Sequence, residues 1–135
     1  MAKFKLQIIT PESVAYTGEA DHVVMTTENG EIDVMPGHEP MMTLLRWGEL
    51  RIHNNDKVDY FAAGLGMAQV LGDQVNVLTG MAVHEEDIDV GKAEEAIQRA
   101  QDALAKKDYA SEEAAAELQA VVMRNLAQLK VKRRN

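Results

Sequence analysis

The sequence predicts an α+β protein, with an N-terminal antiparallel β-sandwich followed by a C-terminal two-helix antiparallel hairpin. Between Phe4 and Val83 apolar residues recur with period two, which is typical of strands with one buried face. Turn signals interrupt this region at short intervals, and no helical pattern supplies the crossovers that parallel strands need. After residue 87 the apolar spacing changes to three and four, as in amphipathic helices. We therefore expect two domains, residues 1–84 and residues 85–135.

The alternating apolar residues define the buried faces of the predicted strands. They are Phe4, Leu6 and Ile8, then Leu50 and Ile52, then Val58, Tyr60 and Ala62, and finally Val75 and Val77. The dipeptide Asn29-Gly30 predicts a type I′ hairpin turn, in which both residues take positive φ. Gly64 and Gly66 interrupt another apolar run and predict a bulge or a close approach of two backbones.

Each predicted helix has its own N-cap. Asp89 caps the first helix, which is expected to end near Lys106-Lys107, and Ser111 caps the second. The expected buried stripes are Ala93, Ala96, Ile97, Ala100, Ala103 and Leu104 in the first helix, and Ala115, Leu118, Val122, Leu126 and Leu129 in the second. The short connection predicts antiparallel packing. Because alanine buries little apolar area, we expect the hairpin to be held weakly.

A rigid loop, Pro36-Gly37-His38-Glu39-Pro40, lies between two strand-like runs. The two prolines restrict φ, whereas Gly37 permits backbone angles that other residues avoid. We expect the loop to hold His38 in a defined, exposed position. Since the loop supplies no nucleophile and base, we interpret it as a docking surface and not as a reaction centre.

Composition excludes several functional classes. The chain has no cysteine, which excludes disulfides, thiolate zinc sites and cysteine nucleophiles. Its net charge of −8 argues against nucleic acid as the main ligand. No apolar run has the length of a membrane-spanning helix, so we expect membrane association only through a partner. His22, His53 and His84 lack metal-ligand spacing, and we expect no catalytic residues, no metal and no required cofactor.

Four basic residues cluster at the end of the second predicted helix, namely Lys130, Lys132, Arg133 and Arg134. One interpretation is a solvated helix end favoured by the helix dipole. The other is a surface that binds an acidic partner.

Three stretches carry a family resemblance. They are Gly30-Glu31-Ile32 followed by Pro36-Gly37-His38-Glu39-Pro40, then Gly48-Glu49-Leu50-Arg51-Ile52, then Val75-Asn76-Val77-Leu78 ahead of Ile88-Asp89. With this architecture the chain resembles, nearly end to end, the epsilon subunit family of the F-type rotary ATP synthase. The resemblance implies a non-catalytic central-stalk subunit. Its sandwich would bind the gamma subunit and the c-ring, and its helices would inhibit ATP hydrolysis by the alpha and beta subunits of the catalytic head.

The resemblance also implies which residues make these contacts. Glu31 and His38 fall where the family meets the c-ring loops and the stalk, with Met35, Met41 and Met42 packing beneath or beside them. His38 as a surface histidine without a role is the alternative. In the family the helices fold against the sandwich or extend along gamma. In the extended form Arg124, Lys130, Lys132, Arg133 and Arg134 would face acidic surfaces of the catalytic head.

Some bacterial family members bind ATP at the start of the first helix. The corresponding residues here are Ile88, Asp89, Lys92, Ala93 and Arg99. Lys92 stands where an arginine is expected and lacks its planar fork, and Val83 replaces an expected acidic residue. These two departures weaken the match. The resemblance still implies ATP as a regulatory ligand, and the alternative is that Ile88 is a hydrophobic anchor and Asp89 an N-cap.

A different function class stays open at this point. The chain could be a free-standing β-sandwich that binds a small ligand, with the helices as a dimerisation element. If it is the stalk subunit, we expect a peripheral location at the cytoplasmic face of a bacterial membrane, or at another energy-transducing membrane.

Overall fold

The structure is a computed structural model that describes residues 2–133. Arg134, one of the predicted basic residues, lies outside this range. The strands are β1 Phe4–Ile9, β2 Val14–Ala20, β3 His22–Thr27, β4 Gly30–Val34, β5 Met41–Leu45, β6 Gly48–Asn54, β7 Lys57–Ala63, β8 Gly66–Val70, β9 Gln74–Thr79 and β10 Ala82–His84. A single 3-10 turn, Glu85–Asp87, leads to α1, Val90–Ala105, and α2, Glu112–Arg133.

The strands form one folded-over sheet in the order β10-β7-β6-β3-β5-β8-β9-β1-β2, with β4 paired to β3. This arrangement, followed by the two helices, confirms the predicted fold class. One pairing differs from the expected antiparallel pattern, because β1 lies parallel to β9. Parallel neighbours need a long connection, and here the seven intervening strands supply it instead of a helix.

The core of the sandwich is built from alternate residues of its strands. The predicted apolar residues of β1, β6 and β9 are buried: Phe4, Leu6, Ile8, Leu50, Ile52, Val75 and Val77. The prediction for β7 holds for Ala62, which is fully buried, but it missed that the opposite face of the strand is buried too. Phe61 and Ala63 point into the sandwich core, whereas Ala62 packs outward in a second cluster with Ile88 and Val131. Both faces of β7 are covered because α2 packs on its outer side.

The hairpin between β3 and β4 does not contain the predicted type I′ turn. Thr27 pairs with Gly30, and only Gly30 takes positive φ, at 105°. The Thr27 hydroxyl accepts a hydrogen bond from the Asn29 amide at 3.2 Å and donates one to the Gly30 carbonyl at 2.8 Å. These bonds from the Thr27 side chain stabilise a different turn, in which Asn29 keeps negative φ.

Of the two glycines near residue 65, Gly64 follows the last residue of β7 and Gly66 begins β8. A methyl group on Gly66 would collide with the Leu78 carbonyl oxygen and lie 2.7 Å from the Thr79 Cα atom, both in β9. The predicted close approach of two backbones is therefore confirmed at Gly66.

The predicted caps of both helices are confirmed. The Asp89 carboxylate accepts a hydrogen bond from the Lys92 amide at 3.0 Å, and the Ser111 hydroxyl oxygen accepts one from the Ala114 amide at 3.1 Å. Past the end of α1, Lys107 takes positive φ of 54°, and the Asp108 amide donates to the Ala103 carbonyl at 2.8 Å. This is a Schellman ending with lysine where glycine is usual.

The predicted stripe of α2 needs correction. Leu126 is 45% exposed, whereas Ala127, Leu129 and Val131 are buried. Leu129 packs on α1, while Ala127 and Val131 pack on the sandwich. The end of α2 is wedged between two neighbours, so its apolar residues occupy two faces instead of one stripe.

Candidate functional site

The rigid loop begins with a type II turn. The His38 amide donates to the Met35 carbonyl at 3.2 Å across Pro36 and Gly37, and Gly37 has φ of 82°. Proline and glycine are the residues that this turn favours at its two central positions. The half-buried His38 ring donates from Nδ1 to the Glu39 carbonyl at 2.8 Å, which leaves Nε2 as an acceptor. The loop thus holds one imidazole in a defined orientation, as expected, but the residue is half-buried where the sequence predicted an exposed position.

The predicted methionines divide into two kinds. Met41 is half-buried and packs against the sandwich core. Met35 and Met42 are 54% and 61% exposed. Exposed methionines next to a rigid loop suit a surface that adapts to a partner.

An apolar row, which sequence reasoning missed, crosses five strands on the outer face of the sheet. Its members are direct cross-strand neighbours in the order Leu44, Met67, Leu78, Ile9 and Val14. Leu44 is 63% exposed and Val14 is 55% exposed. The available signal was that β5 and β9 carry apolar residues at both alternating positions, which a strand wet on one face does not need.

Glu31 belongs to an ion cluster that the sequence did not predict. The Arg51 guanidinium contacts the Glu31 carboxylate at 3.1 and 3.3 Å and the Glu49 carboxylate at 2.7 Å. Hydrogen bonding to Glu49, then to Glu31, raises the pKa of Arg51 against the opposing effect of burial. We call Glu31, Arg51 and Glu49 the Arg51 cluster.

Most of the residues implied in ATP binding line one cleft. The cleft has a volume of about 600 Å³. It is lined on one side by Asp89, Lys92, Ala93 and Arg99 of the α1 segment and on the other by Asn125 and Gln128 of α2. Asp87 and Glu95 also line this cleft, so that with Asp89 its three acidic side chains outnumber the two basic ones, Lys92 and Arg99. Ile88 is buried beneath it among sandwich and α2 residues, so it acts as the hydrophobic anchor.

Two of the basic residues of α2 contact other elements in the folded hairpin. Lys132 Nζ donates to the Glu85 carbonyl at 3.0 Å, and Arg133 pairs with Glu94 at 3.0 Å. Arg124 lies 4.0 Å from Glu117. Lys130 is exposed and borders a groove between α2 and Trp47.

Comparison with known proteins decides the family. The family model described as "ATP synthase, Delta/Epsilon chain, beta-sandwich domain" matches residues 3–85. An ATP synthase epsilon chain of Dehalococcoides mccartyi is 38% identical over 131 residues, which cover 97% of this chain and 93% of that one. This chain belongs to the ATP synthase epsilon-chain family.

Further relatives agree with this membership. ATP synthase epsilon chain 2 of Ralstonia nicotianae is 38% identical over 120 residues, covering 84% of this chain and 86% of that one. A chain in the structure of the Euglena gracilis mitochondrial ATP synthase, OSCP/F1/c-ring, has a TM-score of 0.77 at 23% identity. It covers 96% of this chain, with 81% of that chain matched. At that identity the likeness shows the fold alone.

As an epsilon chain, the protein is a non-catalytic subunit of the ATP synthase, in agreement with the sequence prediction. Membership favours this function over the free-standing ligand-binding module. Within residues 2–133, no helix has the length and apolar character that crossing a membrane requires.

The remaining histidines of this epsilon chain have structural surroundings. His22 and His53 stack at 4.0 Å between ring centroids, and His22 Nδ1 donates to Asp33 at 2.8 Å. Burial, followed by the neighbouring His22 and Arg51, lowers the pKa of His53 and so favours the neutral form of that ring. His84 accepts from the Glu86 amide and donates to Asp59, so it caps the 3-10 turn. In the described part of the chain, no group of three or more acidic or histidine side chains is arranged to hold a metal.

Proposed function

We propose that this epsilon chain joins the gamma subunit to the c-ring through its sandwich, residues 1–84, and restrains ATP hydrolysis through its hairpin, residues 85–135. The observation that carries the proposal is the exposed apolar row, which continues through Met42 to the rigid loop. An exposed apolar surface of this extent on a small domain is typical of an interface.

The apolar row is the proposed docking surface for gamma. α2 packs on β6 and β7, which lie in the other half of the sheet. The row therefore remains available for a partner while the hairpin is folded. Gamma is the occupant that family membership favours, and an apolar stripe on its surface would match the row.

The rigid loop end of the sandwich is the proposed contact with the c-ring. Glu31 and His38 supply a carboxylate and an imidazole for hydrogen bonds with polar groups of the ring loops. Met35 and Met42 supply exposed apolar contacts, with Met41 packed beneath them. The chain would reach the membrane only through the complex, at the cytoplasmic face in a bacterium.

The hairpin is the proposed regulatory element, acting on the alpha and beta subunits of the catalytic head. Its alanine-rich helices bury little area, so a partner can select between the folded and extended forms. In the folded form Lys132 and Arg133 contact Glu85 and Glu94. In the extended form Lys132 and Arg133 would leave these contacts and face acidic groups of the head. Arg124, Lys130 and Arg134 would face the same acidic groups.

One co-expression experiment tests both halves of the proposal. Leu44→Asp combined with Leu78→Asp is expected to reduce co-purification of gamma by roughly ten-fold or more, because charges would enter an apolar interface. Tyr109→Asp, an exposed control on the helical connection, should retain gamma. Deleting residues 89–135 should also retain gamma but raise ATPase activity.

Two outcomes contradict this assignment. Undiminished gamma binding by the Leu44/Leu78 variant removes the apolar row as the docking surface. Unchanged hydrolysis after the deletion removes the hairpin as an inhibitor. Alanine at Lys130, Lys132, Arg133 and Arg134 should weaken inhibition in the same assay, and an unchanged ATPase would favour the solvated helix end.

ATP as a regulatory ligand is a second proposal, supported by the convergence of Lys92 and Arg99 on one cleft. Calorimetric titration of the isolated protein with ATP, with and without magnesium, should give heat that Lys92→Ala with Arg99→Ala abolishes. Lys106→Ala, beyond the cleft, is the matched control. No heat at about millimolar nucleotide, an affinity limit of roughly −4 kcal/mol, removes this proposal.

A further inference from the structure

We propose that Arg51 is a positioning residue for the coupling contact: anchored by the buried Glu49, it holds the Glu31 carboxylate toward the c-ring. This inference rests on the proposed function, since it assumes that Glu31 meets the ring. It adds a mechanism by which the sandwich fixes the direction of that carboxylate.

The three side chains lie on two strands that flank β3. Glu31 on β4 pairs in register with Thr26 of β3, and Arg51 on β6 pairs with Val24 of the same strand. Glu49 lies two residues before Arg51 and on the same face. The register therefore places one guanidinium between two carboxylates.

The exposures of the three side chains form a gradient from the interior to the surface. The side chain of Glu49 is 5% exposed, that of Arg51 is 18% exposed and that of Glu31 is 51% exposed. A buried carboxylate is strongly unfavourable without a charged partner, and the Arg51 guanidinium is such a partner for Glu49. If Arg51 turned away from the cluster, it would break its 2.7 Å contact with the buried Glu49 carboxylate.

The guanidinium transmits this anchoring to Glu31. Arg51 Nη1 bonds to both Glu49 and Glu31, while Nη2 bonds to the other Glu31 oxygen. These two bonds, one to each Glu31 oxygen, fix the plane of the carboxylate as well as its position. A glutamate held in this way loses less conformational entropy when a partner binds. The cluster carries two negative charges and one positive charge, so it still offers an acceptor to a donor group on the ring.

The test is a double-mutant cycle between Arg51 and Glu31 in the assembled enzyme. The head containing each epsilon variant is rebound to membrane vesicles that have been stripped of it, and the apparent Kd and the ATP-driven proton pumping are measured. Arg51→Lys keeps a partner for Glu49 but loses the fork. We expect Arg51→Lys to weaken rebinding by about three-fold, because the Glu31 side chain would then be free before binding and would have to be ordered when the ring binds.

The cycle separates positioning from a merely structural role. In a Glu31→Ala background, Arg51→Lys should have no further effect, because its influence passes through Glu31. If Arg51→Lys weakens rebinding equally in the wild-type and the Glu31→Ala backgrounds, the inference is overturned, whether or not the melting temperature is also lowered. Glu49→Leu with Arg51→Met replaces the buried pair by apolar residues, so the sandwich should remain folded while rebinding weakens. Wild-type rebinding by this folded double variant would also overturn it.

Failure of the proposed function has a different signature. If Glu31→Ala alone leaves both rebinding and pumping unchanged, then Glu31 is not a ring contact and the proposed function is wrong at this residue. If Glu31→Ala impairs rebinding but Arg51→Lys does not, only the positioning by Arg51 is wrong.

Discussion

Replacing Gly66 by alanine is expected to destabilise the sandwich by about 3 kcal/mol. The added methyl group would meet the Leu78 carbonyl and the Thr79 Cα atom. Both belong to the backbone of β9, which pairs with β8. A flexible side chain could move aside, but a paired backbone cannot without separating the strands. Urea unfolding followed by circular dichroism would measure the loss as a lowered midpoint at constant slope.

Gly80→Ala is the matched control, on the turn that follows β9. Its methyl group would find only the Leu65 carbonyl within 4 Å, at 3.9 Å, and its backbone is not in the left-handed region. We expect a change within about 0.5 kcal/mol. Similar midpoints for the two variants would mean that β8 and β9 can separate at little cost.

Met67 and Leu78 of the apolar row lie on the same two strands, so Gly66→Ala should also weaken gamma binding.

Val131→Asp is expected to detach α2 from the sandwich while the sandwich stays folded. Val131 is fully buried against Ala62, Met81 and Ile88. A carboxylate there costs about 3 kcal/mol or more, which is comparable to what holds an alanine-rich hairpin in place. The sandwich has its own core, separate from this cluster, and should retain its strands.

The chain contains its own reporter for this change. Trp47, its single tryptophan, packs against the Val131 cluster, so detachment should shift its fluorescence emission to longer wavelength. Ala116→Asp places the same charge on an exposed position of α2 and should leave the emission unchanged. An unshifted spectrum for Val131→Asp would mean that the helix remains docked. In the assembled enzyme, the released hairpin should inhibit hydrolysis more strongly than the wild type.

Local patterns in the sequence predicted the strands and helices well where one neighbour decides burial. Leu6 and Ile8 face a single core, and Asp89 caps a helix through its own side chain, so period and residue type suffice. The patterns failed where two neighbours compete. Ala62 and Leu126 have burial that depends on how α2 lies on the sheet, which no local period encodes.

The candidate site was predictable to a similar degree. Two prolines and a glycine determine the backbone conformation of the rigid loop, so His38 could be singled out from sequence alone. The pairing of Glu31 with Arg51 depends on the register of three strands, and the apolar row depends on five. Register across distant strands is a property of the assembled sheet.

The parallel pairing of β1 with β9 has a consequence for synthesis of the chain. The first strand finds this neighbour only after residues 74–79 have left the ribosome, so the sheet stays open along this line until then. Contacts of such long sequence separation slow folding and leave strand edges exposed in the meantime. The helices, by contrast, contact each other locally and can pair as soon as both have been made. A nascent chain would thus complete its sandwich just before its helical hairpin appears.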